Sequence, residues 1–291
     1  MTGADPDVHP NACASGVFSL GGLTPVTRLG YGAMRITGPG IWGDPIDPAE
    51  AIRVLRRAVE LGVDFIDTAD SYGPFVSEDL IRRALHPYRD LAVATKGGLV
   101  RTGPDQWHSI GKPEYLRHCV EMSLRRLGVE TIALYQLHWV DPDVPLADQI
   151  GVLADMRKEG KIELIGLSEV DVDQVVEARL VTPIASVQNR FNVADRQWES
   201  VLDYAEREGL GFIPWFPIGA GDLTRSKGLL MAIADEVDAT PAQVALAWLL
   251  RRSPVMIPIP GTGSIGHLEE NIRAASLELT DAQYESISSL A

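Results

Sequence analysis

The stretch DPAEAIRVLRRAVELGVDFIDTADSYG, residues 47–73, carries one complete structural unit. Asp47 ahead of Pro48 is a capping carboxylate before a proline at the first helical position, so a helix begins there. Apolar residues recur at helical spacing from Ala49 to Leu61, and Gly62 fits the left-handed position that ends a helix. Val63 to Asp67 is a short apolar run that reads as a buried strand. Its carboxyl end delivers Asp67, and Tyr72 follows in the next turn.

The same alternation runs through the rest of the chain. Strands are predicted near Leu29–Met34, Val63–Asp67, Leu91–Thr95, Ile132–His138, Ile162–Leu167, Ile184–Gln188, Gly211–Trp215 and Val255–Pro258. Amphipathic stretches such as Pro113–Leu127 and Trp198–Glu208 lie between them. Thr240-Pro241 repeats the capping device, and Gly128, Gly160 and Gly209 each follow a helical run. Strands joined through helices pair in parallel. Eight of them within 291 residues predict a closed (β/α)8 TIM barrel. Phe18–Val26 reads as an N-terminal β-hairpin. Residues 1–17 read as a disordered lead without the features of a signal peptide, and residues 18–291 as one barrel domain.

Composition narrows the function. Apolar residues make up 45% and charged residues 23%, an ordinary globular mix. The 26 basic residues against 40 acidic ones leave a charge of −14, which argues against nucleic acid or an anionic membrane as partner. Cys13 and Cys119 read as isolated reduced thiols, which suits a cytoplasmic enzyme. No metal-ligand spacing occurs, so no metal is expected, and oligomeric state is left unspecified.

Four residues at predicted strand ends carry the chemistry: Asp67, Tyr72, Lys96 in VATKGG and His138 in LYQLHW. A phenol of pKa about 10 is a reluctant participant at neutral pH. An ammonium beside it is expected to lower that value by about 1–3 units. Asp67 is suited to hold Lys96 charged and oriented, and His138 to hydrogen-bond a substrate carbonyl. Taken singly, Asp67 and Lys96 could be a structural ion pair and His138 a core histidine. Taken together, at the face where barrels build active sites, they form a proton donor for a carbonyl.

This combination resembles the aldo-keto reductases from about Phe18 to the C-terminus. The resemblance implies that Asp67, Tyr72, Lys96 and His138 are a catalytic tetrad with Tyr72 as general acid. It implies that Ser168 and Gln188 hydrogen-bond the nicotinamide carboxamide of NADPH and that the ring stacks on Trp215. The neighbouring Phe216-Pro217-Ile218 and Met34 belong to the same cofactor surface. Glu169 stands where the family usually has asparagine, so its amide contact is expected to be weakened or redirected. The segment Gly261-Thr262-Gly263-Ser264 offers glycines, hydroxyls and a helix start suited to a phosphate and a ribose. Glu270 and Asn271 match residues that hold the adenine. His267 occupies a place that is often basic, and the loop has no Lys or Arg, which keeps NADH open beside NADPH.

Trp42, Trp107 and Trp139, with Met34, are candidates to line a pocket for a small-molecule carbonyl. The segments Gly30–Arg35, Gly38–Gly43 and Asp70–Pro74 are similar to a bacterial branch that includes pyridoxal reductases (pyridoxine 4-dehydrogenases). Two other readings are a Schiff-base lyase using Lys96 and a non-catalytic cofactor-binding regulatory subunit.

Overall fold

The computed structural model describes residues 10–219 and 227–290. A hairpin of β1 (Val17–Leu20) and β2 (Thr24–Thr27) opens the chain, and β3 (Tyr31–Gly32) starts the main sheet. There follow α1 (Pro48–Glu60), β4 (Phe65–Asp67), α2 (Val76–Leu85) and β5 (Ala92–Gly97). A second hairpin, β6 (Leu99–Gly103) with β7 (Gln106–Ser109), precedes α3 (Pro113–Leu127) and β8 (Ile132–Leu137). Next come α4 (Leu146–Lys158), β9 (Ile162–Ser168), α5 (Val172–Val181), β10 (Ser186–Gln188), α6 (Glu199–Glu208) and β11 (Gly211–Phe212). The helices α7 (Lys227–Glu236), α8 (Pro241–Arg252), α9 (Ile265–Arg273) and α10 (Asp281–Ser288) complete the order.

Seven strands form one parallel sheet in the order β11-β10-β9-β8-β5-β4-β3. The eighth expected strand, near Val255–Pro258, is not one; it makes a single bridge, Met256 to Phe212. Its backbone still bonds on both sides. Ile257 N–H donates to Phe212 O at 2.8 Å, and on the other side Pro258 O accepts from Gly30 N–H at 3.0 Å. Pro258 and Pro260 alternate on the edge facing β3, so that edge can accept hydrogen bonds but cannot donate them. The curled sheet thus meets its own first strand through one-way bonds. Prolines also explain why β11 stops two residues in, since Pro214 interrupts the predicted Gly211–Trp215. β3 is likewise shorter than predicted, because Ala33–Ile36 turns into a 3-10 helix.

Side-chain alternation sorts the interior into two cores. Phe65, Ala92, Ala94, Leu134, Leu164 and Ala185 point inward with Leu20 and Val26 of the first hairpin, which closes the end where the strands begin. Ile66, Val93, Tyr135, Ile165 and Val187 point outward, against the helices. Two-residue periodicity therefore carries Asp67, Lys96, Gln136 and Gln188 onto the inner face at the other end of the sheet.

The helix boundaries follow local chemistry. Asp47 accepts from the N–H groups of Ala49 and Glu50, and Thr240 forms a capping box with Gln243. Gly62, Gly128, Gly160 and Gly209 all take positive φ. Of the lead expected over residues 1–17, residues 1–9 lie outside the described ones. Residues 12–15 are an ordered 3-10 turn: Ala12 is buried and its N–H donates to Leu61 O at 2.8 Å. Cys13 and Cys119 are free, the first exposed and the second buried.

The closure leaves no room at Gly32. A Cβ there would meet Ile259 O at 2.7 Å, and a Cβ on Gly261 would meet Gly32 O at the same distance. Backbone atoms cannot rotate away. Gly32→Ala is expected to cost about 1–3 kcal/mol, read as a lowered denaturant midpoint. An unchanged midpoint would show that the closure is slack.

Candidate active site

Asp67 ends β4 and Lys96 lies one residue before the end of β5, and the strands are paired in register, Asp67 opposite Ala94. The Lys96 ammonium donates to Asp67 Oδ1 at 2.6 Å, Thr68 O at 2.8 Å and Tyr72 Oη at 3.3 Å. All three of its hydrogens are engaged and its side chain is 0% exposed. Burial opposes the Lys96 charge, but Asp67 and then Tyr72 outweigh it, so its pKa is raised. A nitrogen held as ammonium has no lone pair with which to attack a carbonyl, which removes the support for a Schiff-base lyase. The other oxygen of Asp67 accepts from Gln136 Nε2 and Gln188 Nε2, each at 2.9 Å.

Tyr72 reaches the same centre from the loop after β4. Burial raises its pKa, and the ammonium of Lys96 draws it down less than burial pushes it up. The expected lowering is therefore reversed: the phenol stays protonated at neutral pH. His138 follows β8, and its Nδ1 lies 3.2 Å from Ser71 Oγ. Burial, then the charges of Lys96 and Arg101, hold its pKa well below the ordinary value, so the imidazole is neutral. Its ring meets Tyr72 edge-on, with centroids 5.8 Å apart.

These groups open onto a cavity of about 440 Å³. It is lined by Ser168, Gln188, Trp215, Phe216, Pro217, Ile218 and Gly261, and by Met34, Trp107 and Trp139, together with Tyr72 and His138. Thr262, Ser264, His267, Glu270 and Asn271 continue from Gly261 into α9 and do not line this cavity. Trp42 does not line it either. It is 37% exposed and lies over the Arg101 guanidinium at 5.8 Å.

Glu169 resolves the departure from asparagine. It takes φ 54° and turns away from the cavity, where Oε1 accepts from Trp215 Nε1 at 2.6 Å and from Arg190 N–H at 2.8 Å. The carboxylate fixes the indole and makes no wall for an amide. Gln188 has its amide nitrogen committed to Asp67, which leaves its oxygen as acceptor. The Ser168 hydroxyl, at the cavity wall, has no partner among the described residues.

The sequence reading missed Gln136, Ser71 and Arg101. Gln136 was visible in principle, two residues before His138 on the same strand face. Arg101 was not, since the hairpin β6–β7 that carries it falls in a stretch for which no strand is predicted.

A model of the Aldo/keto reductase family matches residues 28–291. The chain belongs to this family. As a member it is an oxidoreductase, and the four clustered residues are those that the family resemblance singled out. It is 52% identical over 270 residues to an uncharacterized oxidoreductase of Schizosaccharomyces pombe, covering 93% of this chain and 88% of that one. It is 42% identical over 275 residues to pyridoxine 4-dehydrogenase of Escherichia coli, covering 92% and 96%. An aldo-keto reductase of Klebsiella pneumoniae crystallised with NADPH shares the fold, with 24% identity, TM-score 0.80 and 94% of each chain covered. No helix among the described residues is long and apolar enough to cross a membrane.

Removing one partner of a buried pair strands the other charge. Lys96→Met is expected to cost about 3–5 kcal/mol, and adding Asp67→Asn should restore most of it. Equal stability of the single and double variants, measured by urea unfolding, would show that the pair is not what holds this layer.

Proposed function

We propose that this chain is an NADPH-dependent carbonyl reductase acting on aromatic aldehydes of the pyridoxal type. The observation that supports it best is a buried, protonated Tyr72 hydrogen-bonded to an ammonium and facing an aromatic cavity. The sheet is read as a (β/α)8 barrel whose eighth stave is the proline-interrupted segment 255–260, and residues 18–291 as one domain in the cytoplasm.

The residues present suit a dinucleotide. Trp215 is held by Glu169, and the Ser168 hydroxyl, the Gln188 side chain and the backbones of Gly32 and Gly261 line the same cavity. Thr262, Ser264, His267, Glu270 and Asn271 would hold the adenosine end. Bound NADPH would supply hydride to the carbonyl carbon. Tyr72 then donates its proton to the carbonyl oxygen, an acid contribution of about 10²–10⁴-fold. The phenolate left behind is stabilised by Lys96, which Asp67 keeps charged. With the Ser71 hydroxyl donating to Nδ1, neutral His138 would keep its proton on Nε2 and offer it as a hydrogen bond to the same oxygen. Tyr72 regains a proton from water after the alcohol leaves.

Trp107 and Trp139, tilted 47° to each other with centroids 6.5 Å apart, give the cavity aromatic surface on which a planar ring can pack. The similarity to pyridoxine 4-dehydrogenase points to pyridoxal within that class.

The test is NADPH oxidation with pyridoxal, and with 4-nitrobenzaldehyde as a general carbonyl. Pyridoxal should show the higher kcat/KM. Tyr72→Phe should lose about 10²-fold or more of turnover while NADPH affinity, read by tryptophan quenching, stays near wild type. Turnover of nitrobenzaldehyde alone would discard pyridoxal, and full activity in Tyr72→Phe would remove Tyr72 as the acid.

A further inference from the structure

We propose that Arg101 is a positioning residue that shapes the substrate wall of the cavity and thereby selects planar aromatic carbonyls over small aliphatic ones. The proposal rests on the reductase reading above.

Arg101 projects from β6 into the junction of three segments. Its Nη1 donates to Ile41 O at 2.7 Å and Ser71 O at 3.0 Å, and its Nη2 to Gly40 O at 2.8 Å and Gly103 O at 3.3 Å. Nε donates to Gln106 O at 2.9 Å. Each acceptor is a neutral carbonyl, and no carboxylate bonds to the guanidinium among the described residues. The plane of the fork lies over the Trp107 ring, 3.6 Å from its centroid. Such an arrangement needs a planar group with five donors; an ammonium can neither reach these carbonyls together nor stack.

Each of the three segments contributes to the cavity. Ile41 and Trp107 line it directly, and Ser71 bonds His138 and precedes Tyr72. Trp107 stands edge-on to Tyr72 at 6.4 Å and to His138 at 6.4 Å. One cation therefore ties the specificity wall to the catalytic centre.

A second observation bears on the same tie. Gly40 and Ile41 are consecutive residues with positive φ, 67° and 54°. Glycine adopts this readily, but a β-branched residue does so only where its surroundings hold it there. The carbonyls of both residues are among those that Arg101 takes. Arg101 thus pins Ile41 in a conformation that presents it to the cavity.

Loss of the fork should free Trp107 and relax Ile41, widening the slot. A planar ring would lose its fit, whereas a small aldehyde never used it. The experiment compares wild type, Arg101→Met, Arg101→Lys, Trp107→Leu and the Arg101→Met/Trp107→Leu double variant, with pyridoxal, 4-nitrobenzaldehyde and propanal. The readout is the ratio of kcat/KM for the better aromatic substrate to that for propanal. In Arg101→Met it should fall about tenfold, mainly through KM, as expected from loss of a stacked cation and its hydrogen bonds. Arg101→Lys should fall by about threefold, since it keeps charge without the fork. The double variant should show the ratio of Trp107→Leu alone, because the two residues act as one unit.

A ratio within about twofold of wild type in folded Arg101→Met, or in Arg101→Lys should the methionine variant not fold, would overturn the proposal. Additive losses in the double variant would overturn the route through Trp107. A wild-type protein that reduces no carbonyl at all would remove the reductase reading and this proposal with it; an active wild type with an unchanged ratio removes only Arg101.

Discussion

The ion pair between Asp67 and Lys96 is the interaction on which this structure depends. Both groups are buried, and removing two ions from water costs several kcal/mol each. The penalty is offset because both charged groups are hydrogen-bonded by their neighbours. Lys96 donates to three acceptors, and Asp67 accepts from Lys96, Gln136 and Gln188. That arrangement requires strands β4, β5, β8 and β10 to hold their register. A slip of one residue would turn the polar layer outward into the helices.

The same burial sets the chemistry. In water a phenol beside an ammonium would shift toward phenolate, but here desolvation acts on Tyr72 more strongly than Lys96 does. The site therefore keeps its proton until negative charge develops on a carbonyl oxygen, when Lys96 is already in place to receive the phenolate. Preorganised charge of this kind acts without reorientation at the moment of reaction. His138, held neutral by burial and by two cations, adds a donor without adding a third positive charge.

Much of this was legible in the sequence because it is local or periodic. Strand alternation around Asp67, Lys96 and His138, the caps at Asp47 and Thr240, and the glycines after helices need only a few neighbouring residues. The rest depends on encounters across the chain. Whether Val255–Pro258 forms a strand depends on which edge its prolines face, and that edge is defined by β3, more than two hundred residues earlier. Glu169 reads as a cofactor contact until its partner Trp215, on another strand, is known. Arg101 shows nothing special in sequence; its role comes from carbonyls at Gly40, Ile41 and Ser71. Trp42, read as a pocket residue, packs on that arginine instead.

The central claim is that burial keeps Tyr72 a protonated donor at neutral pH despite the ammonium beside it. Direct titration by NMR, with ¹³C-labelled tyrosine and Tyr72→Phe to assign the resonance, measures this. The account requires the Tyr72 phenol to remain un-ionised up to at least about pH 10. A Tyr72 resonance that titrates near neutrality would contradict it, and would make Lys96, not burial, the dominant influence on the site.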